Sequence, residues 1–211
     1  MWVFSGTSIV NYNYASMGQL FSIAPLVFLF LIPAITMQTF ASERQKGTME
    51  FLTTKPLTDL QIIGGKYFAC LTLVFLALLP TVIYYLSIHN LGSPKGNIDN
   101  GAVIGSYIGL FLLSAIYCAV GVFMSSITEN QIVAFILSAF SCFLLYFAFG
   151  FISELPIFFG TLDDIVKAIG IEYHYDNISK GRIDSRDVIY FLSMSFAFIW
   201  LTFVSLDKRK W

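Results

Sequence analysis

Five stretches of this chain carry no Asp, Glu, Lys, Arg or His: residues 21–40, 67–88, 102–124, 132–152 and 188–206. A helix needs about 20 mostly apolar residues to cross the hydrocarbon of a bilayer, where each backbone polar group must be satisfied within the segment. Each run has that length. Outer-membrane strands would instead alternate in segments of about ten residues, so the pattern predicts an all-α, polytopic helical bundle with five transmembrane helices. Composition agrees: 57% of the 211 residues are hydrophobic and 12% charged, half the usual charged share of about a quarter, and the mean hydropathy is +0.76.

Lys and Arg fall unevenly on the two sides of these spans. One side receives Arg44, Lys46, Lys55, Lys66, Lys208, Arg209 and Lys210. The other receives Lys95, Lys167, Lys180, Arg182 and Arg186, most of them in a long 153–187 segment that also holds seven acids. The positive-inside rule counts such a long loop weakly, so the first side is expected to be cytoplasmic, with the carboxyl end inside and the amino end outside. The opening MWVFSG reads as the tail of a hydrophobic segment, and no secretory signal pattern is present. An upstream helix is therefore expected to be missing. With a net charge of −1 and no concentrated basic face, nucleic acid is not expected as a partner. Cys70, Cys118 and Cys142 lie inside apolar runs without metal spacing and read as small buried hydrophobes.

Between the first two spans lies ASERQKGTMEFLTTKPLTDLQIIGGK, residues 41–66. Gly47 interrupts helix, Pro56 disfavours it at Lys55, and Thr58 with Gln61 matches a capping box. These signals predict a short helix over 48–54, a turn, and a capped helix leading into the second span, together a hairpin standing off the membrane. Lys66 is expected at headgroup level. On the other side, the 153–187 segment is long for a simple connection. It carries a Thr161/Asp164 capping pattern before a short helix that Gly170 can close, and Asp184 with Asp187 three residues later to cap the last span. Its apolar residues suggest short helices lying at the outer interface, as a lid, a gate or a docking face. Pro25, Pro33 and Pro80 are expected to bend their spans. Gly105 and Gly109, continued by Ser114 and Ala119, form a small-residue strip for helix packing within the chain or against a second copy.

The pattern Phe40, Ala41, Glu43, Arg44, Gly47, Thr48, Glu50, Leu52, Thr54, Pro56 and Leu57, followed by Gly65 and Lys66, resembles the coupling region of type-2 ABC-transporter permeases. The stretches SSITENQIVAF and YHYDNISKGRIDSRDVIYFLS extend the likeness over the chain. Both closely resemble the permease subunit associated with bacterial gliding motility. The resemblance implies a six-span permease of the bacterial inner membrane, one span of which is not found here, whose coupling segment docks on a separate ATP-binding subunit. Carried over by position, Glu43, Arg44, Gly47, Thr48, Glu50, Leu52 and Pro56 belong to that contact. It further implies a second membrane subunit or a homodimer, and a role in gliding motility or in secretion of surface components.

The residues themselves point the energy source elsewhere. A P-loop needs G-x-x-x-x-G-K-[ST], and in the nearest match Leu60 replaces the first glycine and Tyr67 the hydroxyl. Charged groups buried at mid-membrane, which ion-coupled carriers use, are missing from all five runs. No H-E-x-x-H or G-x-S-x-G occurs, and His89 and His174 fall outside the runs, so neither enzymatic activity nor a cofactor is expected. Apart from a permease driven by a partner ATPase and embedded in membrane lipid, two readings stay open: a structural anchor of a motility machinery that transports nothing, and an ATP-independent channel or carrier.

Overall fold

The computed structural model describes residues 17–49, 57–91, 98–153 and 166–207. Among them there is no strand, and five helices are long and apolar enough to cross a membrane. In chain order the helices are α1 (Gly18–Thr36), α2 (Ala41–Gln45), α3 (Asp59–Leu78), a 3-10 turn (Leu79–Thr81), α4 (Val82–Leu91), α5 (Asn100–Ile127), α6 (Gln131–Ser153), α7 (Ile171–Ser179) and α8 (Ser185–Asp207).

The bundle is built around α5. Of its most apolar 18-residue window 72% is buried, against 11% for α3–α4 and 17% for α8. The cause is in its side chains. Lipid tails are as apolar as leucine, so helices in a membrane associate by close packing and hydrogen bonds, which small residues permit. α5 supplies Gly105, Ser106, Gly109, Ser114, Ala115, Ala119 and Gly121 among the fully buried Leu110, Leu113, Ile116 and Tyr117. At Gly121 an added Cβ would lie 2.0 Å from Thr36 Oγ1, which fixes where α1 crosses. The outward faces carry Phe30, Phe68, Ile83, Ile136 and Phe196, exposed side chains that suit lipid.

Three local expectations meet their outcome here. The α-helix runs through Pro25 and Pro33 without interruption, whereas at Pro80 it tightens into the 3-10 turn, where Thr81 Oγ1 donates to Leu78 O at 2.6 Å. The helix of the first span stops at Thr36, four residues short of the predicted end, at a turn closed by Thr39 N and Thr39 Oγ1 on Thr36 O (3.0 and 2.7 Å). The second helix starts at Asp59 on a complete capping box, Gln61 N to Thr58 Oγ1 and Thr58 N to Gln61 Oε1, and then continues through His89, which therefore stands on a spanning helix rather than beyond it.

At the end of the bundle away from α2, α7 forms a lid within the 153–187 segment, a helix that no capping signal had marked. It buries Ile171, His174, Tyr175 and Ile178, the i, i+3, i+4, i+7 stripe of an amphipathic helix. Tyr175 Oη donates to Phe21 O on α1 at 2.7 Å, and burial pushes this phenol well above its ordinary range, so it stays a neutral donor. Ser106 Oγ on α5 donates to Ser179 O at 3.0 Å. The small-residue strip faces this lid: a Cβ at Gly105 would meet Ile178 O at 2.5 Å, and one at Gly109 would meet the Ile178 and Tyr175 side chains at 3.2 and 3.4 Å.

Asp187 does not reach back to cap α8. Asp184 Oδ1 accepts from Arg186 N at 3.1 Å, while Asp187 Oδ1 lies 2.6 Å from His174 Nδ1. His174 Nε2 is 2.8 Å from Ala168 O, and its ring stacks on Tyr190 at 4.0 Å, so both ring nitrogens face oxygen. Gly170 stands as the extended N-cap residue of α7, following a turn in which its N–H bonds Lys167 O at 2.9 Å. The Thr161/Asp164 pattern lies outside the described residues.

A candidate coupling elbow

α2 has five residues, too few for a helix to be stable alone. Its ends explain its persistence. At the start, Ser125 Oγ of α5 accepts from both Phe40 N and Ala41 N at 3.0 Å and donates to Met37 O at 3.0 Å. One hydroxyl thus satisfies two orphan donors of the helix start and one carbonyl of the preceding turn. At the finish, Gly47 has φ +66, Thr48 N bonds Glu43 O at 2.9 Å and Gly47 N bonds Arg44 O at 3.0 Å. That is a Schellman close, and the left-handed residue it requires is glycine. The lid helix ends on the same device: Gly181 has φ +80, with Arg182 N on Asn177 O and Gly181 N on Ile178 O.

The Lys66 side chain is turned inward, against the elbow. Its ammonium donates to Thr39 O, lies 2.5 Å from Glu43 Oε1, and sits 4.4 Å from the centre of the Phe40 ring. Glu43 and Lys66 side chains are only 26% and 17% exposed, so this pair is better shielded than a surface ion pair. Phe40 itself is wholly buried and forms a second core with Ile63 of α3, Val122 of α5 and Leu206 of α8. Gln131 Nε2, at the start of α6, donates to Gln45 Oε1 at 3.2 Å. The elbow is thereby fastened to α3, α5, α6 and α8 at once.

Of the residues that sequence reading singled out, Glu43, Arg44, Gly47 and Thr48 come together on this elbow. Glu50, Leu52 and Pro56, with most of the helix expected over 48–54, lie outside the described residues. Gly105 and Gly109 sit toward the other end of α5; at 1.5 Å per residue, Gly105 is about 30 Å along the axis from Ser125. Sequence reading gave Ser125 no role, although it opens the SSITENQIVAF stretch, and it missed the inward turn of Lys66. Two features of the elbow are unfinished: Glu43 Oε2 and both terminal nitrogens of Arg44 are buried without a hydrogen-bond partner. Buried polar atoms in that state cost about 1–3 kcal/mol each.

No curated protein and no solved structure matches the chain significantly. The family described as ABC-2 family transporter protein matches residues 5–204, nearly the full length. With its five apolar spanning helices and their fastened elbow, the chain belongs to the ABC-2 transporter family and is a membrane permease subunit of an ABC transporter.

Proposed function

We propose that this permease is an export-type subunit of the bacterial inner membrane, driven by a separate ATPase that docks on residues 41–57. A paired membrane subunit, identical or different, completes the complex, and gliding motility or secretion of surface components is the role it serves. The observation that carries the reading is the fastening of the elbow. A segment held only by its own ends would absorb a push, whereas this one is bonded to Ser125 and Lys66 and packed through Phe40 against three spanning helices. The exposed Gln45, Lys46 and Thr48 beside Gly47 offer polar groups to the docking partner. The arrangement of Lys and Arg supports a cytoplasmic elbow and carboxyl end.

In this mechanism, closure of the ATPase pair displaces the elbow, and α5 carries the displacement toward the lid, since Ser125 is bonded to the elbow at one end and Ser106 to the lid at the other. Binding energy on the ATPase side can shift the spans only if it differs between their two states. The stiff, buried α5 ties the elbow state to the lid state.

Co-purification tests the docking. Glu50→Arg reverses a charge in the docking segment, and Gly47→Pro forces φ near −65° where the turn needs +66. Both variants are expected to insert in the membrane in normal amounts and to lose at least about tenfold of the co-purifying ATPase, the equivalent of about 1.4 kcal/mol. Undiminished recovery of the ATPase with both variants would contradict the docking site.

A further inference from the structure

Where the second spanning helix tightens at Pro80, a crevice of about 370 Å³ opens between α3–α4 and α5, lined by Phe75, Leu79, Val82, Tyr107, Ile108 and Phe111 among others. Its volume falls at the small end of the range for ligand pockets, about 300–1,000 Å³. The lining offers hydrocarbon. The one hydroxyl in the lining, on Tyr107, is bonded to the neighbouring Thr81 Oγ1 at 3.1 Å. Phe75 and Phe111 meet edge to face at 6.1 Å and cross the seam on its elbow side. Toward the lid side, Val82, Tyr85 and His89 follow one another on a single face of α4, His89 about 10 Å beyond Val82 at 1.5 Å per residue. There Tyr85 Oη donates to Asn100 Oδ1 at 2.9 Å, and the His89 ring lies 5.9 Å from that of Tyr85.

The geometry points to a binding site for one membrane lipid: an acyl chain in the crevice, its end against the Phe75–Phe111 pair, and its headgroup at Tyr85, His89 and Asn100. A hydrocarbon groove within spanning helices meets lipid, and among the described residues the polar groups beside it, apart from the mutually bonded Thr81 and Tyr107, stand at its lid end. A second copy of the chain fits less well. Helices that pair in membranes do so through small residues, whereas Phe75, Leu79 and Val82 are bulky and 40% or more exposed. Since a lipid tail gains nothing hydrophobic by leaving other tails, the site selects by shape and by the hydrogen bonds at its end. The site is independent of the docking proposal above.

The test uses the full chain in nanodiscs containing a phosphatidylethanolamine with a diazirine near the end of one acyl chain. After illumination, peptides holding Phe75 and Phe111 are expected to carry roughly threefold to tenfold more label than those around the lipid-facing Ile136 and Phe196, the ratio that one or two membrane hydrogen bonds supply. Ile108→Trp, which fills the crevice, is expected to abolish the excess, and His89→Ala to reduce it; an unchanged thermal midpoint shows that each variant is folded. Label spread evenly over all spans would overturn the site. So would disulfide-linked dimers of Ile108→Cys, which would put a second copy there; Cys70, Cys118 and Cys142 are buried and leave that reading clean.

Discussion

Gly105→Ala is expected to lower stability by about 2–3 kcal/mol, while Gly64→Ala, the same substitution in another spanning helix, is expected to raise it by up to about 1 kcal/mol. Alanine is the better helix former, so helix propensity favours both changes by about that amount. The surroundings decide the sign. A Cβ at Gly64 meets nothing within 4 Å. At Gly105 it would lie 2.5 Å from Ile178 O and 3.1 Å from the Gly181 Cα, backbone atoms that no rotamer change can move aside. Relief requires the lid helix to lift off α5, which also strains the Ser106 to Ser179 bond, and forced overpacking of this kind costs about 1–3 kcal/mol or more. Thermal unfolding in detergent reads both effects. Stabilisation of both variants would show that α7 does not rest on the glycine strip.

Ser125→Ala is expected to release the elbow. It removes the acceptor shared by Phe40 N and Ala41 N and the donor to Met37 O. Unsatisfied buried groups cost about 1–3 kcal/mol each, so a total loss of about 3 kcal/mol is expected, confined to the elbow because the spans do not depend on these bonds. Trypsin should then cut after Lys46 in folded protein several times faster than in the unaltered chain, with the helix content unchanged. Ser125→Thr, which keeps the hydroxyl, should restore most of the resistance. If the alanine variant is cut no faster, the hydroxyl does not hold the elbow.

The two sites differ in how much of each could be read from residues alone. The spans were legible because lipid imposes a length and forbids charge, and all five appear, with ends displaced by local chemistry. The Thr58–Gln61 box sets the start of α3 eight residues before the apolar run at Tyr67. The turn at Gly47 was legible because glycine alone suits that backbone. Its companion Ser125 was not, since it lies 85 residues from Phe40 and a serine near a helix end has many ordinary uses. Lys66 was read as a headgroup ammonium by its depth; nothing local shows that Thr39 O and Glu43 await it. Asp187 fits a capping pattern, yet a buried imidazole 13 residues away outcompetes the helix end. The glycine strip declared close packing without naming its partner, and within the segment expected as a lid the helix that meets it was hidden because its apolar stripe includes His174.

Docking on a cytoplasmic ATPase requires the elbow to face the cell interior. Thr48 is exposed, the shorter of its two bonds to Glu43 O (2.9 Å from N, 3.3 Å from Oγ1) is made by the backbone, and the native cysteines are buried, so a single Thr48→Cys thiol reports the elbow alone. A membrane-impermeant maleimide should label this thiol in inverted membrane vesicles and leave it untouched in intact cells. Labelling in intact cells would place the elbow outside and beyond the reach of any cytoplasmic ATPase, and would contradict the account.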